Sequence, residues 1–115
     1  MSNDCLFCKI ISSKISANIV QETENSLAFH DINPQAPIHI LIIPKIHIPS
    51  CNDLNKNNIH YLSDMALMAG KISEAENITK FGYRWVINTG NNGGQTVDHI
   101  HLHLLGGRNM AWPPG

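Results

Sequence analysis

Three histidines, His99, His101 and His103, alternate with the aliphatic residues Ile100, Leu102 and Leu104 near the end of this 115-residue chain. Alternation of this kind predicts a strand with one imidazole face and one apolar face. Residues two apart on a strand lie about 6.7 Å from each other along it, so neighbouring imidazoles can crowd one phosphate-sized group. Imidazole titrates near neutral pH and can serve as nucleophile, base or acid without extreme tuning. The pattern points to displacement at phosphorus. A neutral imidazole would attack through one ring nitrogen while the other holds its proton against a carbonyl or carboxylate. His101, flanked on both sides, is the candidate nucleophile. A second, protonated histidine would serve the leaving group or the non-bridging oxygens. A catalytic zinc bound by the three histidines is the rival reading.

Other residues could join this chemistry. Gly93 and Gly94 allow positive φ and close backbone approach, and successive N–H groups in such a turn can cradle an anion. Gln95 and Thr96 add an amide and a hydroxyl just before the histidines. Cys5-Leu6-Phe7-Cys8 offers half a zinc site, a redox pair or two ordinary thiols. Two more ligands would close a tetrahedral site, with His47 and one of the three histidines as candidates and Cys51 a weaker one. His39 alternates with Leu41 and Ile43 on a face expected to be apolar, where a titratable group suggests a site. Asp31 sits in a turn after a strand and could accept hydrogen bonds from two ribose hydroxyls. His30 and His60 carry no comparable signal, and His60 falls on the polar side of a helix.

Positioning these groups requires a frame. Residues 5–12 predict one or two helical turns. Residues 19–22 and 26–30 predict two strands around a Glu24-Asn25 turn, and residues 31–34 have turn chemistry. Residues 38–43 predict a buried strand closed by Pro44. Ile59, Leu62, Met65, Ala66, Ala69 and Ile72 follow helical spacing inside a long helix over 55–75, with Asp53 or Asn55 as its cap. Residues 83–88 predict a strand with Tyr83, Trp85 and Ile87 facing one way, residues 90–94 a loop, and the histidine strand follows. Strands joined by short turns favour an antiparallel sheet. The expected fold is α+β, a five-stranded antiparallel sheet with one long helix and a short N-terminal helix. The Pro-rich tail leaves Trp112 without an obvious burial site, which suggests a partner subunit.

Composition sets bounds. The length suits one domain, residues 1–115, and 43% hydrophobic residues fit a globular chain. Net charge is −1 with no basic stripe, which argues against a nucleic acid polymer as partner. No signal peptide is expected, because Asp4 precedes any lysine and Lys9 and Lys14 break the apolar stretch. The apolar run 40–43 is far too short to span a bilayer. A reduced, cytoplasmic setting is expected for Cys5, Cys8 and Cys51, with the nucleus also accessible to so small a protein.

Taken together, these residues resemble the histidine triad family, whose mark is His-x-His-x-His followed by two apolar residues, here 99–105. Similar stretches run nearly the whole chain, at 7–11, 29–32, 34–37, 43–45 and 93–95. The ending, 106–108 through 112–115, is similar to that of the nucleoside phosphoramidate hydrolases. The resemblance implies a homodimer whose two sheets join into one. It also implies hydrolysis of purine nucleoside 5′-phosphoramidates to AMP and an amine, through a covalent nucleotidyl-histidine and without a catalytic cofactor. In that frame His101 is the nucleophile, His103 contacts the phosphate, and His99 and His39 complete the network. Asn88, Gly94 and Thr96 would hold the phosphate, and Asp31 the ribose. Phe7, Ile10, Phe29 and Ile32 would form the base pocket, and Trp112 would reach toward the partner's site. Thr96 stands where serine is common. Relatives that keep the cysteine pair bind a structural zinc through two cysteines and two histidines, which implies Cys5, Cys8, His47 and His99 here. A dinucleoside polyphosphate hydrolase and a non-catalytic nucleotide-binding or scaffold dimer are the alternatives; the Trp-Pro-Pro-Gly ending argues against the former.

Overall fold

The computed structural model describes residues 4–115. Its elements are α1 (Leu6–Ile11), β1 (Ile19–Glu22), β2 (Ser26–His30), β3 (Ile38–Pro44), a 3-10 turn (Cys51–Asp53), α2 (Ile59–Ala75), β4 (Tyr83–Val86), α3 (Gly90–Gly93) and β5 (Leu102–Gly106). The strands form one antiparallel sheet in the order β1-β2-β3-β5-β4. The architecture is the expected α+β fold, with five strands, one long helix and a short N-terminal helix.

β3 is central, so both of its faces are covered. Ile40 and Ile42 face α2 together with Ala28, Leu102 and Leu104, and meet Met65, Met68, Ala69 and Ile72. Those four helix residues recur at helical spacing and place one stripe against the sheet. Leu41 and Ile43 point the other way, toward Leu27, Phe29 and Phe7 of α1. His39 shares their parity and is buried. Register decides its neighbour: Leu41 pairs with His103, and His39 with Leu105. The two histidines are therefore diagonal neighbours on one face, within reach of each other's rings.

The structure departs from the sequence reading at several boundaries. The triad is not one strand: only His103 lies in β5, while His99 sits in a bend and His101 directly precedes the strand. The bend closes with the His99 N–H donating to the Val97 carbonyl, and the Ile100 N–H donates to Ile48. Alternation survives because Leu102 and Leu104 still bury on the α2 side, and Ile100 is buried as well. Residues 90–94 are not a plain loop, since Gly90–Gly93 make one helical turn ended by Gly94 at φ 82°. α2 begins at Ile59, not at 55, because Asn55 and Asn58 bond each other's backbone and hold a separate turn. Asp53 caps the 3-10 turn by accepting from the Ser50 N–H, and does not cap the long helix. β4 ends at Val86, and Pro44 belongs to β3 opposite Ser26.

Leu104 is fully buried in the layer between sheet and α2, whereas Leu67 on the same helix is 70% exposed. Leu104→Ala is expected to cost about 3 kcal/mol through lost transfer energy and a cavity. Leu67→Ala should stay within about 0.5 kcal/mol. Urea denaturation midpoints of the two variants check the difference.

Candidate active site

The hydrogen-bond chain through the histidines assigns their protons. The Gln35 backbone N–H donates to His39 Nδ1 at 3.0 Å, so a neutral His39 carries its proton on Nε2. That nitrogen lies 2.9 Å from His103 Nδ1 and 3.4 Å from Asp31 Oδ2. His103 Nδ1 therefore accepts, and the His103 proton sits on Nε2, which is buried and has no partner among the described residues. His101 is set differently. Its Nδ1–H donates to the His99 carbonyl at 2.8 Å, which leaves Nε2 with a lone pair. The result is a nucleophilic nitrogen beside an unsatisfied donor. The His101 and His103 ring centroids are 5.0 Å apart.

His101 and His103 open onto a pocket of about 270 Å³. Phe7, Ile10, Phe29, Asp31, Ile32 and Thr96 line it as well. Phe7 and Phe29 meet edge to face at 5.6 Å, and Ile32 is fully exposed at the rim. Asp31 Oδ1 accepts from the Asn33 N–H at 2.8 Å, which fixes the carboxylate in its turn. His39 stands behind His103 and does not line the pocket. Asn88, Gly94 and Trp112 are not among the lining residues either. The Gly94 N–H is engaged by the Asn91 carbonyl and the Gln95 N–H by that of Gly90, so neither is available as an anion cradle in this arrangement. Trp112 is 83% exposed.

Sequence reasoning missed part of this wall. His30, which had carried no signal, lines the pocket along with Ile15, Ser16, Ala17 and Asn18. The His30 N–H donates to the Asn18 carbonyl at 3.0 Å, so the segment before β1 is tied to the end of β2. No periodicity marks residues 15–18; a bond from the Ile15 N–H to the Lys9 carbonyl of α1 and the Asn18–His30 bond bring them in. Gln35 acts through its backbone, and the one hint of it was the flanking Pro34 and Pro37, which restrain the turn. His60 is exposed and stacks on Tyr61 at 4.3 Å, as its helix position suggested.

A second cluster lies on the far side of Phe7. Cys5 Sγ is 3.3 Å from His99 Nδ1, Cys8 Sγ is 3.5 Å from the same atom and 3.4 Å from His47 Nδ1, and the two ring nitrogens are 3.2 Å apart. Tetrahedral zinc with sulfur and nitrogen ligands has edges of roughly 3.3–3.7 Å, so the four donors are spaced for one ion. His99 Nε2–H donates to the buried Pro44 carbonyl at 3.0 Å. That bond turns the Nδ1 lone pair toward the cluster, as a partner behind a metal-ligating histidine does. Cys51 is not a member.

The HIT domain profile matches residues 12–110. The chain belongs to the HIT family. It is 49% identical over 111 residues to the purine nucleoside phosphoramidase of Escherichia coli K12, an alignment covering 96% of this chain and 93% of that one. It is 50% identical over all 115 residues to a HIT-like protein of Synechococcus elongatus, each chain being fully covered. The crystal structure of a HIT family hydrolase from Legionella pneumophila Philadelphia 1 superposes with a TM-score of 0.94 at 54% identity, covering 96% of this chain and 99% of that one.

Electrostatics in this HIT site favours neutral rings. Burial lowers the His103 pKa to about 4, helped by the neighbouring His101 and His39 and opposed by Asp31. Burial likewise lowers His39 and His101, and takes His99 to about 4. The unfolded chain binds these protons near the ordinary value of 6.5, so between pH 6.5 and 4 it holds more protons than the fold. Stability is then fully present above about 6.5 and lost as pH falls toward 4. Urea midpoints measured from pH 8 to pH 4 should fall over that window, and His103→Asn should make the fall shallower.

Proposed function

We propose that this HIT protein hydrolyses purine nucleoside 5′-phosphoramidates through a covalent nucleotidyl-His101 intermediate. One observation carries the reading. His101 donates Nδ1–H to a backbone carbonyl, which leaves Nε2 with a lone pair, and it lines the pocket beside His103, whose Nε2–H has no partner among the described residues. The likeness to a purine nucleoside phosphoramidase over 96% of the chain supports it.

In this scheme His101 Nε2 attacks phosphorus and the phosphorus–nitrogen bond breaks. The leaving nitrogen takes a proton from solvent water and departs as the amine, and the water that later attacks phosphorus returns a proton to solvent. The imidazolium so formed keeps its Nδ1–H on the His99 carbonyl, which stabilises the charge. His103 Nε2–H donates to a non-bridging oxygen. Water then adds to phosphorus, AMP leaves and His101 is regenerated, so one difficult step becomes two easier ones. His39 acts by holding the His103 tautomer. Asp31 is the ribose acceptor, and Phe7, Ile10, Phe29 and Ile32 enclose the base as apolar walls. Thr96, which lines the pocket, holds the phosphate in this scheme, and Asn88 and Gly94 join it once the 88–94 segment moves inward on binding.

Two further features belong to the proposal. Cys5, Cys8, His47 and His99 hold a structural zinc, which takes no part in the bond-breaking steps. The chain works as a homodimer through β4: among the described residues this edge strand pairs only with β5 and leaves Tyr83 and Trp85 part-exposed, and unpaired edges invite a second copy. Trp112 would then be covered at the partner's site. No helix among the described residues is long and apolar enough to cross a membrane, and the reduced cysteine ligands suit a cytoplasmic setting.

Rapid-quench mass spectrometry of the intact protein with an adenosine phosphoramidate should show an added AMP that maps to His101. His101→Ala should lose the adduct and at least about 10³-fold of turnover. AMP release without an adduct would sink the covalent scheme, and faster cleavage of diadenosine polyphosphates would favour the other hydrolase. Metal analysis should find one zinc per chain, and chelation should lower the melting temperature.

A further inference from the structure

The nucleophile and the cysteine–histidine cluster meet in one residue. The His99 ring points its Nδ1 at Cys5, Cys8 and His47. The His99 carbonyl accepts the Nδ1–H of His101 and so sets which nitrogen of the nucleophile is free. No strand ladder holds that carbonyl in place, because His99 and His101 both precede β5. Among the described residues its local backbone ties are the single bonds from His99 N–H to Val97 and from Ile100 N–H to Ile48. The ring of His99 is thus a principal anchor of the segment.

A second bridge runs through Phe7. Phe7 sits between the two cysteines in sequence and is 3% exposed. Its ring meets His99 edge-on at 5.8 Å and His101 edge-on at 5.0 Å. Cys5 caps α1 by accepting from the Cys8 N–H, so the turn that carries both thiols also carries Phe7. Whatever draws Cys5 and Cys8 onto His99 presses Phe7 against the nucleophile.

We infer that the Cys5–Cys8–His47–His99 centre positions the nucleophile: with a divalent ion bound, His99 and Phe7 lock His101 into the Nδ1–H tautomer that presents Nε2 to phosphorus. This rests on the zinc reading of the cluster. Without the ion the two thiols lose their common anchor and the His99 ring is held from one side only, by its Nε2–H bond to the Pro44 carbonyl, so the ring pivots on that bond and its own carbonyl no longer selects one tautomer. His101 then populates the Nε2–H form, which has no lone pair on the attacking nitrogen. His99 and Phe7 are positioning residues in this arrangement, acting on substrate through His101.

The test compares the zinc-loaded protein, the chelator-stripped protein and His47→Asn, whose altered residue is exposed and makes no contact with His101 in the structure. All are held at one fixed pH near 7.5. Zinc per chain is measured first, then the imidazole ¹⁵N chemical shifts of His101, then the Kd for AMP. The expected result is well-separated His101 nitrogen shifts with zinc, shifts that converge without it, and AMP binding weakened about tenfold, the size of effect that supporting partners of a site exert. Unchanged His101 shifts after verified zinc loss would overturn the inference while leaving a structural zinc intact. A protein that neither contains nor takes up zinc would overturn the zinc reading itself, and the inference with it. If both zinc-free forms lose their dispersed NMR spectrum, the ion is a requirement of folding and the positioning role falls.

Discussion

The antiparallel pairing of β3 with β5 is the constraint on which the rest of the structure depends. It sets Leu41 opposite His103 and so makes His39 the diagonal neighbour of His103 on the face away from α2. A slip of one residue would turn His103 into the α2 layer and expose Leu102 and Leu104. Hydrophobic burial against α2 therefore enforces the register, and the register enforces the polar chain. Core packing and site geometry are two outcomes of one alignment.

Neutrality of the imidazoles follows from the same burial. A ring removed from water resists protonation, and a neutral ring has one donor and one acceptor nitrogen. Direction then passes along the chain of rings, from the Gln35 amide through His39 to His103. A backbone carbonyl gives His101 the opposite assignment. Two histidines two residues apart thus present different faces, a lone pair and an N–H. An identical pair in water would interchange roles freely. Fixed backbone groups break that equivalence.

His99 shows how a small fold economises on parts. Its Nε2 bonds the Pro44 carbonyl at the end of β3, its Nδ1 turns to Cys5, Cys8 and His47, and its carbonyl holds His101. A domain of this size buries a limited core. Phe7 serves twice for the same reason, as the link between α1 and the sheet and as a wall of the pocket.

Sequence periodicity alone was enough for the existence of five strands and the long helix, and for the burial of 38–43 and of the aliphatic residues that alternate with the histidines. These are set by local alternation and by turn residues, which need no distant partner. The triad, Asp31, His39 and the C-x-x-C pair were also legible, because titratable and thiol groups at regular spacing stand out from an apolar background. The ends of elements were less so. The Asn55–Asn58 turn competes with the start of α2 through side-chain bonds, and Gly90–Gly93 coil into a helical turn despite their glycines. Only the tertiary structure decided that His99 leaves the strand, that residues 15–18 and His30 wall the pocket, and that the Gln35 amide faces His39. The pocket wall rests on contacts between segments far apart in the chain, and the His99 bend and the Gln35–His39 turn rest on backbone geometry; one-dimensional spacing carries no record of either. Residue types set which chemistry was available; the folded backbone, locally at His101 and His39 and across the sheet at His103, set which nitrogen of each ring performs it.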